Sequence, residues 1–377
     1  MAGDGRSGRV GAEATPDGRG SMLTLRVATL GSDTDAEWDD FVATAGGRHA
    51  QTVAWARVKA ATSWASERVE VHEGGCIVAG GQILTRRLPM VGRLGYLDGG
   101  PVVRDSTAVD VLVDAIVATC RRSRIRNLVV DLPEGSLALV EPLRSRGFVS
   151  SEVKTALAAT LVVDLTKTED DILAGMRKTT RHNIRKGIRA GTVVRVGGAD
   201  DLPMVAGLFG ATAGRQGFIA ADERYLRTFY DVLHPLGQCV IMIAEVDGAP
   251  VSAMLGIVFG DRFVFKRAGW SGTHRDARPN EVLHWEAMQW AKDAGLRRYD
   301  FDGIEPGVAQ AIATGVEGPE ATNVTRFKLG FGGEVVLLPD SLSYLPNRAL
   351  HLGYTQLFPR VKRLRVVKQA LKRLRAS

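Results

Sequence analysis

The sequence predicts an α/β protein in which one mixed-sheet unit occurs twice. Helical and strand patterns alternate along the 377 residues, a length sufficient for two domains of ordinary size. A helix–strand unit also recurs, since "RIRNLVVDLPE" aligns with "GLRRYDFDGIE" and places Asp131 over Asp302. The two copies are much further apart than the repeats of a solenoid. We therefore interpret the pattern as a tandem duplication of one α/β unit.

The first copy contains five predicted elements in order. The segment "EWDDFVATA" is typical of a short helix, and "ERVEVHEGGCIVAGGQIL" predicts two strands joined by a Glu-Gly-Gly turn. Next, "STAVDVLVDAIVATCRRS" has the spacing of an amphipathic helix and leads into the apolar strand "RNLVVDLPE".

A run of hairpin strands lies between the two helix–strand units. In "AEVDGAPVSAMLGIVFGDRFVFKRAGW" the turns are expected at Asp247-Gly248 and Gly260-Asp261, because Asp-Gly and Gly-Asp pairs suit tight hairpin turns. The amphipathic helix "NEVLHWEAMQWAKDAG" follows and leads into the strand "RRYDFDGIE".

Composition excludes several classes of protein. Hydrophobic residues make up 45% and charged residues 24% of the chain, as in soluble globular proteins. The three cysteines are widely separated and form no CxxC pair, which argues against a disulfide framework or a zinc site. No apolar run approaches the roughly 20 residues of a membrane span. The glycine-rich residues 1–21 are expected to form a disordered leader, and the protein is expected in the cytoplasm.

Positive charge is concentrated at the carboxyl end of the chain. Eight Lys/Arg residues lie between Arg360 and Arg375, and no acid follows Asp340, so the +7 net charge falls to 7 − 8 = −1 without them. Residues 353–377 are predicted to form a basic amphipathic helix. A helix packed by its leucines, an RNA contact and peripheral contact with the inner face of the membrane all remain open.

A second basic segment is "MRKTTRHNIRKGIRAG", with six Lys/Arg and no acid. Lys178, Arg181, Arg185 and Arg189 recur at helical spacing and share one face, beside an apolar stripe of Met176, Ile184 and Ile188. Gly191 is placed to end the helix. Like charges at this spacing repel one another, which favours an anionic partner such as RNA over a merely solvated face.

The segment "RFKLGFGGE" holds Lys328 between Phe327 and a leucine, with Gly330, Gly332 and Gly333 just after it. One interpretation is a strand lysine beside a glycine bulge. The other is a cation held for chemistry, beside backbone that must come close to a ligand.

Five segments resemble, in order, the FemABX-type aminoacyl-tRNA-dependent transferases. They are "AWARVK", "GYLDGGPVV", "RKTTRHNIRKGIRAG", "YDFDGIEP" and "RFKLGFGGE", and the resemblance extends from about residue 24 to 345. It implies two tandem GNAT-like acyltransferase domains without the coiled-coil arm of some members. Domain 1 is expected at 22–158 with a return of about 336–352, and domain 2 at 159–335.

The resemblance also implies a reaction and its residues. An aminoacyl group would pass from tRNA to a peptide amine, with aminoacyl-tRNA as co-substrate and without a cofactor or metal. Lys328 and Asp131 match the positions implied to be catalytic. The resemblance implies that Lys328 stabilises the oxyanion or holds the tRNA 3′ end, and that Asp131 lies near the acceptor amine. The remaining matches are those implied to bind tRNA, Phe327, Arg181, Arg185 and Gly332, and those implied to bind the acceptor, Lys59, Tyr225, Arg267 and Asp302.

Two departures from the family pattern concern the acceptor. Ala221 stands where members that use a UDP-linked precursor resemble one another in an arginine, so one diphosphate contact is missing. In "FKRAGW", Lys266 and Arg267 put positive charge where an aromatic residue is common. These changes favour a lipid-linked stem peptide, and a peptide or amine intermediate of antibiotic synthesis is equally compatible.

Two other functions remain open from the sequence. One is a CoA-dependent N-acyltransferase, although the only segment near a pyrophosphate-binding loop, "RSRGFV", has valine at its last position. The other is a non-catalytic protein that binds RNA or membrane through its basic helices. The amino acid transferred, the acceptor and the oligomeric state are not determined by the sequence.

Overall fold

A computed structural model describes residues 23–29, 35–89, 91–152, 158–217, 222–347 and 351. The chain divides into two compact units. The first unit contains the described residues up to 152 together with 338–347 and 351, and the second unit contains 158–337. No helix within these ranges has the length and apolar content needed to cross a bilayer. The predicted leader and the predicted C-terminal helix at 353–377 lie outside the described residues, as does Ala221.

The strands are numbered in chain order. Those of the amino-terminal part are β1 Leu23–Thr29, β2 Ala65–Glu73, β3 Cys76–Leu88, β4 Gly92–Asp98, β5 Val102–Val103, β6 Ile125–Asp131 and β7 Val149–Ser150. The later strands are β8 Ala159–Asp164, β9 Val193–Gly197, β10 Cys239–Val246, β11 Ala249–Phe259, β12 Arg262–Trp270, β13 Arg298–Gly303, β14 Glu334–Leu337 and β15 Leu342–Tyr344.

The helices are numbered in the same way. The first unit contains α1 Ala36–Thr44, α2 Val53–Ala60, α3 Val109–Arg122 and α4 Val140–Ser145. The second unit contains α5 Glu169–Gly175, α6 Lys178–Arg189, α7 Leu202–Gln216, α8 Glu223–Leu233, α9 Pro279–Asp293, α10 Pro306–Thr314 and α11 Asn323–Leu329.

Each unit has one mixed sheet. The first has the order β1-β2-β3-β4-β6-β15-β7, and β5 also pairs with β3. The second has the order β14-β8-β13-β12-β11-β10-β9. In each sheet one pair of strands is parallel, β4 with β6 and β12 with β13, and the other pairings are antiparallel. The two sheets therefore follow the same plan, and the predicted α/β tandem fold is confirmed.

The strand next to the parallel pair comes from an unexpected part of the chain in each sheet. In the first unit, β15 lies between β6 and β7, although β7 ends at Ser150 and β15 begins only at Leu342. In the second unit, β8 occupies the corresponding place between β13 and β14 and precedes every other strand of that sheet. Thus the first sheet is completed by the segment that follows the second unit.

Each sheet is covered by a helix that the sequence predicts. In the first unit α3 buries Leu112, Val113 and Ile116 against apolar residues of the sheet. In the second unit α9 buries Leu283, Ala287 and Met288 in a core that includes strand residues such as Met254 and Phe263. The 3.6-residue apolar period of these helices explains why one face is buried.

Candidate active site

The parallel pair of the second unit separates after only three paired residues. Arg262 to Val264 of β12 pair with Arg298 to Asp300 of β13, yet β12 runs on to Trp270 and β13 to Gly303. Beyond this point the two strands do not hydrogen-bond to each other. Backbone carbonyls at the end of β13 are consequently available to other groups, because each buried carbonyl needs a partner.

Lys328 supplies that partner. Its Nζ donates hydrogen bonds to the carbonyls of Phe301, at 2.8 Å, and Gly303, at 2.6 Å. The side chain comes from α11, a helix whose first turn is capped by the Thr322 hydroxyl, which accepts from Thr325 N. The strand interpretation of this segment is therefore wrong, because Lys328 lies in a helix. An ammonium has three hydrogens, and only two are used by hydrogen bonds within the described residues.

The ammonium of Lys328 is held in a desolvated place. The residue is 9% exposed, and Nζ lies 5.7 Å from the centre of the Phe265 ring, a cation–π distance. Burial lowers the pKa of Lys328, while the carboxylates of Asp302 and Asp300 oppose this shift and the charge of Lys266 adds to it. A cation in such surroundings interacts strongly with any negative charge that forms beside it.

Two aspartates of β13 have different roles. Asp300 is 1% exposed and fully engaged: it accepts from Arg262 at 2.7 Å, from the backbone N–H of Asp302 and from the Thr160 hydroxyl. Asp302 forms an ion pair with Lys266 at 3.5 Å. Its φ of 58° lies in the left-handed region, so the regular alternation of strand side chains ends here.

An aromatic cluster surrounds His284 on α9. The imidazole lies within 6 Å of the ring centres of Phe265, Phe301, Phe327 and Phe331 and accepts or donates a 2.7 Å hydrogen bond with the Tyr299 hydroxyl. Burial and the charge of Lys328 lower the pKa of His284 to about 3. The ring is therefore neutral near pH 7. Phe327, which the family resemblance implies to bind tRNA, packs half-buried in this cluster.

The glycines after Lys328 are explained by contacts within the second unit. A Cβ on Gly332 would lie 2.4 Å from the Gly175 carbonyl oxygen, and one on Gly333 would lie 2.5 Å from the Val162 carbonyl oxygen. Both residues also have positive φ, 74° and 93°. Close approach of protein backbone thus accounts for both glycines, and the contact of Gly332 with tRNA stays a prediction.

The basic helix predicted around residues 178–189 is α6, and the C-terminal Gly191 has a φ of 81°. Arg185 is exposed, but Arg181 donates to the carbonyls of Leu173 and Ala174 at the end of α5. The guanidinium of Arg181 therefore caps a neighbouring helix. Of the predicted apolar stripe, Ile184 is buried while Ile188 is 48% exposed, so the stripe is narrower than expected.

Tyr225 and Arg267, both expected to bind the acceptor, are near each other in the second unit. Tyr225 lies in the first turn of α8, where Asp222 caps its backbone N–H at 2.8 Å. Burial raises the pKa of the Tyr225 hydroxyl, and the charge of Arg267 opposes this shift. The structure thus places a half-buried phenol beside a cation on β12.

The other two predicted residues, Asp131 and Lys59, belong to the first unit. Asp131 ends β6, is 4% exposed and pairs in register with Asp98 of β4. Lys59 lies in the last turn of α2, with its Nζ 5.3 Å from the centre of the Trp55 ring.

Sequence reasoning missed three residues of this site. His284, Arg262 and Thr160 all contact groups at the open end of β13. His284 was hidden within an amphipathic helix pattern, where a buried histidine resembles any other core position. Thr160 and Arg262 come from strands whose pairing with β13 is long-range and is not written in local sequence.

Comparisons with known proteins agree with this architecture. An acetyltransferase (GNAT) domain model matches residues 174–309, and a FemAB family model matches residues 34–141. A lipid II:glycine glycyltransferase of Staphylococcus saprophyticus is 28% identical over 233 residues; the match covers 58% of this chain and 56% of that protein. A lipid II:glycine glycyltransferase of Staphylococcus aureus strain MRSA252 is 27% identical over 349 residues, covering 86% and 80% of the two chains. The crystal structure of FemX superposes with a TM-score of 0.76 at 19% identity, covering 86% of this chain and 99% of that one.

The two sheets follow one plan, and the chain has a tandem GNAT-like fold. The FemAB family model matches within the first unit, and over most of its length the chain is similar to lipid II:glycine glycyltransferases and to FemX. The resemblance noted from the sequence is confirmed.

Proposed function

We propose that this protein transfers an amino acid from aminoacyl-tRNA to an amine of a lipid-linked peptidoglycan stem peptide, at the inner face of the membrane. The acceptor is suggested by relatives that carry the name lipid II:glycine glycyltransferase, of which two match this chain at 27–28% identity. The observation that carries the chemistry is Lys328. Its ammonium is buried, fixed by two carbonyls and has a third hydrogen not used within the described residues.

The reaction is an aminolysis of the ester that links the amino acid to the tRNA ribose. The acceptor nitrogen forms a bond to the ester carbonyl carbon, and the carbonyl oxygen becomes an oxyanion. Collapse of this intermediate breaks the bond to the ribose oxygen, which leaves as a hydroxyl after gaining a proton, and the nitrogen loses one proton. No covalent enzyme intermediate is needed.

In this scheme the third hydrogen of Lys328 donates to the oxyanion. Because the other two hydrogens are held by Phe301 and Gly303, the ammonium needs little reorganisation when the charge forms. Loss of a single preorganised donor of this kind costs a factor of about 10²–10³ in turnover. His284 does not accept the amine proton, because it is buried and its pKa of about 3 leaves it a very weak base.

The remaining residues are assigned binding roles. We propose that Asp131 orients the acceptor amine or accepts its proton, that Arg185 contacts tRNA phosphate, and that Phe327 and Gly332 border the tRNA 3′ end. Arg181 shapes the same basic surface through its contacts with α5. Lys59, Tyr225, Arg267 and Asp302 are proposed to contact the acceptor.

The experiment offers the purified protein a mixed pool of radiolabelled aminoacyl-tRNAs, first with lipid II and then with a panel of small amines and peptides. We expect label in lipid II. Label only in a small amine or peptide would replace the cell-wall acceptor with an antibiotic-type intermediate and leave the tRNA-dependent chemistry in place.

A parallel arm tests the donor. Prior digestion of the aminoacyl-tRNA with RNase is expected to abolish transfer, and acetyl-CoA with the same acceptors is expected to give no product. Acetylated product together with RNase-insensitive activity would make the protein a CoA-dependent N-acyltransferase.

A further inference from the structure

The first unit carries a dense group of arginines at the amino ends of β4 and β6, the ends opposite Asp98 and Asp131. Two adjoining cavities open there, of about 560 Å³ and 420 Å³, and Arg124 and Arg126 line both. We call the six arginines that line them the arginine rim: Arg87, Arg93, Arg121, Arg122, Arg124 and Arg126.

The arginine rim is only partly neutralised. Glu67 lies 3.6 Å from the guanidinium of Arg93 and 3.4 Å from that of Arg122, and it also accepts from Ser123. Within the described ranges, the other four arginines of the rim form no ion pair. One carboxylate against six guanidinium groups leaves a strongly positive concave surface, which favours an anionic ligand. Phosphate suits the planar guanidinium fork in particular.

An apolar turn lies next to the rim. The β3–β4 turn exposes Val91, which is 49% exposed, and Pro89. Arg87 and Arg93 flank this turn in sequence. Arg126 also reaches it, since a Cβ on Gly92 would lie 2.7 Å from Arg126 Cδ. The exposed aliphatic tip and the arginines therefore form one continuous surface.

The combination of arginines with an exposed valine favours one anionic partner, a lipid bilayer, over another, an RNA backbone. An RNA backbone would engage the arginines but would gain nothing from an exposed valine. The surface of an anionic bilayer uses both, since lipid phosphates meet the basic side chains while an aliphatic side chain enters the acyl boundary.

The chain's own C-terminal segment is a poor occupant. Pro346 and Asn347 line the smaller cavity and precede this segment in sequence. That segment carries eight Lys/Arg between residues 360 and 375 and no acid after Asp340, so the rim repels it.

We propose that the arginine rim and the Val91 turn form a docking surface for an anionic lipid bilayer, with lipid phosphates in the two cavities. This surface is separate from the transfer reaction, and its test does not depend on catalysis.

The test measures partitioning of the full-length protein onto vesicles of phosphatidylcholine with a minority of phosphatidylglycerol, by co-sedimentation. The rim variant combines Arg124→Gln and Arg126→Gln. Its matched control combines Arg57→Gln and Arg144→Gln, which remove the same charge from exposed arginines of the first unit that line neither cavity. At about 1 kcal/mol for each basic residue near an anionic surface, we expect the rim variant to bind about 30-fold more weakly and the control much less.

A third variant, Val91→Ser, keeps every charge and is expected to lower vesicle binding about fivefold through lost apolar contact. Bulk uncharged tRNA is then titrated against all variants by filter binding. Equal losses for rim and control variants on vesicles would overturn the proposal. So would a rim variant that binds vesicles normally and tRNA weakly, since the surface would then be an RNA contact. Unfolding midpoints of each variant confirm that the comparison is made between folded proteins.

Discussion

The parallel strand pairs of the two units follow the same plan and end differently. In the first unit β4 and β6 stay paired to their last residues, Asp98 with Asp131, and Gly99 N–H then donates to the Asp131 carbonyl. In the second unit β12 and β13 separate after Val264 and Asp300. At this end of the first sheet, the backbone groups of β4 and β6 therefore hydrogen-bond to each other. The second leaves the carbonyls of Phe301 and Gly303, which accept hydrogen bonds from the Lys328 side chain.

The difference shows how a duplicated fold can place a cation in one copy. A lysine can be held in a desolvated position only where hydrogen-bond acceptors are already free, since an unpaired buried charge is very costly. The separated strands of the second unit provide those acceptors, and the closed strands of the first do not. The four experiments that follow test this contrast, from the largest expected effect to the smallest.

The Lys328→Met variant tests whether chemistry depends on the open strand end. Methionine retains an apolar stem of similar length and removes the ammonium, so turnover in single-turnover aminoacyl transfer is expected to fall about 10²–10³-fold. The variant is also expected to be less stable, because two carbonyls lose a charged donor. Unfolding in urea measures that loss separately. Asp131→Asn, at the closed strand end, is expected to slow transfer about tenfold. This is the effect expected for a group that orients the amine, because removing an orienting group costs less than removing a general base. Unchanged turnover in a folded Lys328→Met protein would remove this lysine from the mechanism.

The Gly332→Ala variant tests the packing that holds α11 beside the open end. A Cβ there would lie 2.4 Å from a backbone carbonyl oxygen. The φ of 74° is also strained for any residue with a Cβ. The matched control is Gly295→Ala, with a φ of 79° and nothing within 4 Å of its Cβ. Both variants share a conformational cost of about 1 kcal/mol. We expect the free energy of unfolding of Gly332→Ala to fall by about 2 kcal/mol more than that of the control. Equal losses in the two variants would show that the contact with α5 is not tight.

Alkaline pH is expected to move stability and activity in opposite directions. Because the pKa of Lys328 is lowered in the folded protein, the unfolded chain retains this proton to higher pH. In the window between the folded pKa and that of an ordinary lysine, the unfolded state binds more protons, so this residue's contribution to the free energy of unfolding rises with pH. Oxyanion stabilisation needs the ammonium and declines over the same window. The measurement is the difference between wild type and Lys328→Met in urea unfolding and in transfer rate at several alkaline pH values. Parallel changes in both quantities would contradict the assignment.

Two arginines of α6 occupy equivalent places in the sequence pattern, but their substitutions are expected to have different effects. Arg185→Ala should weaken tRNA binding and reduce the slope of its salt dependence by about one ion, because an exposed phosphate contact is lost. Arg181→Ala should mainly lower the free energy of unfolding, by about 1 kcal/mol, because its guanidinium caps α5. Filter binding across a range of salt concentrations, together with urea unfolding, distinguishes the two. A larger loss of tRNA affinity from Arg181→Ala than from Arg185→Ala would reverse the assignment.

Local sequence patterns predicted most of the fold. The helices α3 and α9 and the hairpin from β10 to β12 follow directly from apolar periodicity and turn residues, and the structure confirms them. Lys328 was identifiable because a lysine between apolar residues is unusual. The helical conformation of this segment was not identifiable from the sequence, since "RFKLGFGGE" is short and its glycines resemble those of a β-bulge.

What the sequence could not supply is long-range pairing. The hydrogen bonds of Lys328 with Phe301 and Gly303, and the contacts of Thr160 with β13, depend on which strands become neighbours. The neighbours of Gly332 and Gly333 are likewise set by long-range packing, since the backbone of Gly175 and of Val162 lies beside them. A glycine's need for room is visible in sequence, but the identity of the neighbour is not.

The insertion of β15 between β6 and β7 has a consequence for synthesis on the ribosome. The first unit cannot finish its sheet when residue 150 emerges, because its missing strand, Leu342–Tyr344, is made almost 200 residues later. Until then the edge of β6 is open to any passing extended chain, and such edges invite wrong pairing. A nascent chain stalled between these two points is therefore the form of this protein most in need of a chaperone.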